Sequence, residues 1–266
     1  DMVPVSGPIL SNRGILGSPP FEIPRRVVNS QAFDPLAPTP ERARRLGAKN
    51  QHNVVTLVLY LLLMWVASLV SIGSAIAIFR AHAEFGALGV WATSAIAAVL
   101  LPAYFVLMEV WGPGRMKLVP KACTIHDLHF FRVERYWKMG ETPLKILFKG
   151  TPFRPWIYRL LGVRMGRMVF DDGCAITEKG LVEIGDHCCL NEATSLQSHS
   201  LEDGLFKSDH TKLAERCTLG PGSFVNYGVR MSADATLLAD SFLMKGSVMG
   251  RGQTWSGNPA RADIRR

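Results

Sequence analysis

The chain has 266 residues and a formal net charge of +8, and 48% of its residues are hydrophobic. That length holds one or two domains, and two long uncharged stretches argue against a wholly soluble chain. The basic excess flanks those stretches and forms no nucleic-acid-binding motif, so anionic membrane lipids are the expected partners and nucleic acid is not.

The opening stretch ILSNRGILGSPPFEIPRR, residues 9–26, resembles the closing stretch MGRGQTWSGNPARADIRR, residues 249–266, with GSPP standing in place of GNPA. Residues 1–26 are therefore expected to be the tail of an earlier copy of the C-terminal fold within a longer polypeptide. Residues 27–52 are rich in proline and arginine and read as a linker.

Val54 to Phe79 and Phe85 to Met108 contain no charged residue, and each is long enough to cross a hydrocarbon core as a helix. With the short connector Arg80 to Glu84, residues 53–112 are expected to form a two-helix transmembrane hairpin. Arg42, Arg44, Arg45 and Lys49 precede the first stretch, Arg115, Lys117 and Lys121 follow the second, and the connector has only Arg80. By the positive-inside rule both ends face the cytoplasm, which predicts a multi-pass membrane protein. Residues 113–162 mix basic and aromatic side chains, as in HDLHFFRVERYWKMG, and are expected to lie partly on the membrane surface. Within them Trp156 and Tyr158 suit an interface or a cap on the next domain.

Residues 163–266 have a different period. Leu213, Leu219, Val225, Met231, Leu237, Leu243, Met249 and Trp255 recur at every sixth position, and four places after each of the first seven comes Cys217, Ser223, Val229, Ala235, Ser241, Ser247 or Gln253. A period of six suits neither an α-helix nor simple strand alternation, but it suits a triangular β-helix with one inward apolar side chain per face and a small residue near each corner. Ile184, Leu190 and Leu196 extend the repeat upstream. From Leu196 to Leu213 is seventeen residues, which is out of phase, so SLQSHSLEDGLFKSDH (195–210) is predicted to leave the coil as a loop on a functional face. The fold class is thus mainly β with membrane helices. The five cysteines lack metal-ligand spacing and read as small core residues in a reducing compartment, so no metal is expected.

Ser198 and His199, the irregular stretch after them, the hexads and GNPAR at 257–261 resemble the hexapeptide-repeat acyltransferases, a left-handed parallel β-helix family that includes sugar O-acetyltransferases. The hairpin together with EIGDHCCL, QSHSLEDGLFKSDH and WSGNPAR more closely resembles the membrane-embedded C-terminal region of poly-lysine-synthetase-like nonribosomal peptide synthetases. The resemblance implies that His199 is the general base, suited to take a proton near pH 7. Glu202, Asp203 and Asp209 would orient the imidazole or bind a cationic amine, with His210 in a supporting place. It also implies an acid near the first coil, Asp171 or Asp172. Gly246, Gly250, Gly252 and Gly257, with Trp255 and Asn258, would let a pantetheine arm approach the backbone.

The implied reaction is amide (isopeptide) formation between a carrier-bound aminoacyl thioester and the amine of an amino acid or peptide, with phosphopantetheine on a carrier domain of the same synthetase. A CoA-dependent O- or N-acetyltransferase using acetyl-CoA and a non-catalytic membrane scaffold are the alternatives. Relatives of this kind are usually trimers, so a homo-oligomer or a pairing of tandem β-helix copies is expected.

Overall fold

The structure is a computed structural model that describes residues 14–16, 21–23, 40–111, 118–139, 148–202 and 204–263. From residue 164 onward, leaving aside the insertion at 199–208, short strands stack into three sheets whose strands run parallel, apart from the last strand of one sheet. Met165, Ile184, Leu213, Met231 and Met249 form one inward column. Asp171, Leu190, Leu219, Leu237 and Trp255 form the second. Ile176, Leu196, Val225 and Leu243 form the third. These columns make one continuous core in which Leu190, Leu196, Leu219, Val225, Leu237, Leu243 and Met249 are fully buried. The domain is therefore a parallel β-helix.

The corners follow from the same period. Every sixth residue from Arg216 to Gly252 has a left-handed φ, between 52° and 72°, and one such residue per face turns the chain toward the next sheet. Glycine meets that demand without strain at Gly246 and Gly252, whereas Arg216, Asp234 and Asp240 adopt it against the preference of an L side chain. The small residues sit just inside the corners, and Cys217, Ser223, Val229 and Ala235 are completely buried. Cys174, Cys188 and Cys217 are buried free thiols, whereas Cys123 and Cys189, also free, are only half-buried, so three of the five occupy the expected core positions; burial pushes the Cys174 thiol up to about 12.

A single helical segment, α1 (Pro40–Trp111), holds both uncharged stretches. It is long and apolar enough to cross a membrane, and side chains such as Phe79 (77% exposed) and Trp91 (76%) point away from the protein. The helix continues through the expected connector, and its backbone departs from helical geometry only at Gly86 (φ 62°, ψ −144°), a conformation open to glycine. The two sides of that break touch. The Tyr104 hydroxyl donates to the Leu63 carbonyl at 2.8 Å, Ala67 and Phe105 share one buried cluster, and a Cβ added at Gly89 would lie 2.3 Å from the Ala81 carbonyl oxygen.

Among the described residues, two shorter helices lie between α1 and the coil. α2 (Leu128–Met139) packs on α1, and α3 (Phe153–Leu160) precedes the first strand of the coil. Trp156 is exposed (64%) while Tyr158 is buried in the β-helix core, so of the two aromatics only Tyr158 is part of the cap. Near the N-terminus, Gly14–Leu16 pairs antiparallel with Phe21–Ile23, placing Leu16 opposite Phe21. At the far end Thr254–Ser256 pairs with Arg261–Ala262, placing Ser256 opposite Arg261. The two stretches that match in sequence thus share one backbone register.

The columns predict the effect of a single charge in the core. Leu237→Asp would place an unpaired carboxylate in a fully buried position, at a cost of several kcal/mol. Thermal unfolding should lose its parental midpoint, and a variant that melts like the parent would show that Leu237 does not face inward.

Candidate active site

The interruption of the repeat is a β-hairpin rather than a loop. Strand His199–Glu202 pairs antiparallel with Leu205–Ser208, which pairs in turn with Lys121–Thr124. Thr211–Leu213 then pairs with Val182–Ile184, so the coil resumes on the next face. The seventeen-residue gap between Leu196 and Leu213 is one face-to-face step carrying an insertion, not three hexads with one residue lost.

The outer strands of this hairpin would leave apolar side chains in water, and α2 covers them. Phe130, Phe131, Val133 and Phe206 form a buried cluster, with Leu118, Cys123, Ile125 and Trp137 packed against it. The aromatic side chains of 128–139 that suggested a membrane-surface segment are therefore buried in the protein, because they recur on one helical face and meet the hairpin.

His199 lies between these layers. Its ring stacks on Trp137 with centroids 4.3 Å apart and planes at 30°, and Phe206 lies 5.8 Å away. Nδ1 lies 2.7 Å from Glu178 Oε1. The Trp137 indole N–H donates to the same oxygen at 2.6 Å, and the Thr177 hydroxyl donates to Glu178 Oε2. The Glu178 side chain is completely buried and that of His199 is 13% exposed. A carboxylate accepts only, so Nδ1 carries the proton in this contact and Nε2 of the neutral ring keeps its lone pair. That arrangement fixes both the tautomer and the plane of the ring.

The neighbouring residue anchors the dyad. The Lys179 ammonium pairs with Glu109 near the end of α1, both groups being buried, and it lies 5.2 Å over the Tyr136 ring. Burial, with Glu109 beside it, pushes the Tyr136 hydroxyl well above its ordinary range. A buried pair of this kind is costly to break from one side only, so the turn holding Glu178 is fastened to α1 and α2.

The residues named from sequence are spread around this centre. Glu202 binds the Lys245 ammonium at 2.8 Å, which ties the His199 strand to the corner at Gly246. Asp203 lies outside the described residues. Asp209 is exposed and accepts the His210 backbone N–H at 2.7 Å, so His210 is held by its own turn rather than by the His199–Glu178 pair. Asp171 is buried in the first coil. Its Oδ2 accepts from Arg154 at 2.9 Å and its Oδ1 from the backbone N–H groups of Gly173 and Cys174. Burial pushes that carboxyl up while Arg154 pulls the other way. The Asp171 carboxylate therefore closes the cap on the coil and has no free oxygen for a substrate. Of the glycines, Gly246 and Gly252 are outer corners with open space beside them, and Gly250 lies against the Gln253 side chain. Trp255 packs against the core and donates to Gln253 Oε1 at 3.1 Å, while Asn258 is exposed on the final strand connection. Gly250 and Gly252 share one turn, Trp255 lies on the strand that follows it, and among the described residues only the corner at Gly246 is joined to the His199 strand, through Glu202 and Lys245.

Glu178, Trp137 and Thr177 escaped the sequence reading. The available signal was the register of the coils: Ile176 pairs with Leu196, so the residues two and three places further, 178 and 199, lie on neighbouring rungs.

No family model matches the chain. It is similar to a Delta-poly-L-ornithine synthetase of Acinetobacter baumannii, 33% identical over 112 residues that cover 42% of this chain and 8% of that protein. Similar solved structures include a hexapeptide-repeat acetyltransferase from Vibrio cholerae (16% identity, TM-score 0.36, 45% of this chain and 84% of that one). A maltose O-acetyltransferase from Clostridium difficile matches at 15% identity with TM-score 0.38, over 57% of this chain and 95% of that one.

Proposed function

We propose that the chain is an acyltransferase-like condensation module of a membrane nonribosomal peptide synthetase, forming amide bonds between an aminoacyl thioester and the amine of an amino acid or peptide. The observation that carries this reading is the His199–Glu178 contact at 2.7 Å, which leaves Nε2 as the bare ring nitrogen. The likeness to a poly-ornithine synthetase supports it, and so does the interruption of the coil at His199. A carrier-borne phosphopantetheine supplies the activated carbonyl as a thioester.

In this reading His199 Nε2 takes a proton from the attacking amine nitrogen as the C–N bond forms, and returns it to the sulfur as the C–S bond breaks. Glu178 steadies the positive charge that the ring carries between those steps, and Trp137 holds the ring plane. The corner at Lys245 and Gly246 is tied to the His199 strand through Glu202, leaves open space beside Gly246, and fits the approach of a narrow pantetheine arm. Gly252, Trp255 and Asn258 would contribute only further along the coil. The exposed Asp209 suits a cationic amine approaching the hairpin.

In the proposed placement the two sides of α1 cross a bacterial cell membrane as a hairpin about Gly86, with the β-helix on the cytoplasmic side. Pairing of tandem β-helix copies, or of separate chains, would complete the assembly.

Two experiments test these readings. Removing a positioned base costs about a hundredfold to ten-thousandfold in rate, so His199→Ala in the intact synthetase should lose most amide formation while His210→Ala keeps more. A folded His199→Ala variant with near-parental turnover would make this β-helix a scaffold. For topology, a cysteine placed at Ala83 should react with an impermeant label from outside the cell and one at Gln51 should not; the reverse pattern would overturn the orientation.

A further inference from the structure

Against Trp137, at the start of the uncharged stretch, lies a cavity of about 680 Å³, lined by Asn53, Thr56, Leu57, Tyr60, Trp137 and Lys138. Its size is that of a small-molecule site, and its walls differ in character. Leu57, the Tyr60 ring and Trp137 are apolar or aromatic, while Asn53, Thr56 and Lys138 offer polar groups. Lys138 is half exposed (51%) and paired with Glu134 at 3.2 Å. Behind Thr56, Arg135 donates to the Thr56 hydroxyl at 2.9 Å and to His52 Nδ1 at 3.1 Å. The wall thus carries two cations to one carboxylate, and no carboxylate lines the cavity itself among the described residues. An anionic group is favoured there and a cationic amine is not.

The position narrows the ligand further. Asn53 to Tyr60 are the first turns of the uncharged stretch, and Val54 (61% exposed), Val58 (57%) and Leu61 (56%) continue outward from the cavity as an open apolar surface. A ligand held by Lys138 could lay a chain along that surface.

We propose that this cavity binds a phosphate ester carrying a flexible apolar chain, with the phosphate at Lys138 and the chain against Leu57 and Tyr60. An anionic membrane phospholipid has that chemistry, whereas a pantetheinyl phosphate, whose arm carries amides and a hydroxyl, does not. The bound lipid rests on Trp137, the residue that stacks on His199 and donates to Glu178. Occupancy would therefore steady the wall of the dyad, a consequence that rests on the acyltransferase reading, whereas the binding does not.

The test is native mass spectrometry of the detergent-solubilised chain titrated with short-chain phosphatidylglycerol, short-chain phosphatidylcholine and coenzyme A. Lys138→Glu removes the cation, and Leu57→Trp fills the cavity. Phosphatidylglycerol should bind more tightly than phosphatidylcholine, and both variants should weaken it roughly tenfold, the scale of one charge-assisted contact. Binding of phosphatidylglycerol that neither variant changes, equal binding of the two lipids, binding of coenzyme A in place of the lipid, or no binding at all would overturn the proposal. Because no turnover is read, these outcomes are independent of whether His199→Ala abolishes transfer.

Discussion

A buried carboxylate is tolerated only when its oxygens are hydrogen-bonded, and Glu178 meets that condition through three groups from three parts of the chain. Thr177 comes from its own turn, Trp137 from α2, and His199 from the hairpin that interrupts the coil. None of the three can move far without leaving a charge unsatisfied in a dry layer. The β-helix supplies the register that places Glu178 one rung from His199, α2 supplies the lid, and the Lys179–Glu109 pair binds both to α1. The site is thus a junction between a rigid coil and a helical segment, and its geometry is set from both sides.

The insertion has its own physical logic. A regular coil satisfies its backbone by pairing each rung with the next, and an excursion from it must find partners elsewhere. The hairpin pairs with itself and then with Lys121–Thr124, which lies between α1 and α2 in sequence. Covering the hairpin with α2 buries Phe206 almost completely and gives the His199 ring two aromatic neighbours. Only Nε2 of that ring is left for chemistry, and the slight exposure of the side chain gives it a path to solvent.

Much of the coil was legible in the sequence because each buried residue and each corner repeats at a fixed interval, so that Leu219, Val225, Leu237 and Leu243 announced their own burial. His199 was legible for the opposite reason, since it breaks the interval. The carboxylate beneath it was not, because Glu178 lies a full coil upstream in a stretch with no motif and becomes relevant only once the rungs are in register. α2 was misleading: basic and aromatic residues at helical spacing suit a membrane surface as well as a protein core, and composition does not separate the two. Asp171 looked available, but its neighbours Arg154 and the Cys174 amide lie on either side of it in sequence and close on it only in the fold. The break in α1 falls at Gly86, beyond the charged connector, because backbone freedom rather than polarity decides where a helix departs from its path.

The contact with Glu178 holds the His199 ring with Nδ1 protonated and Nε2 bare. Nitrogen NMR of histidine-labelled protein, with His199 assigned by its loss in His199→Ala, reads that tautomer directly. At a pH where the ring is neutral, His199 should give an Nδ1–H signal that gives way to a mixture of tautomers in Glu178→Gln. A neutral His199 carrying its proton on Nε2 in the parent protein would contradict it.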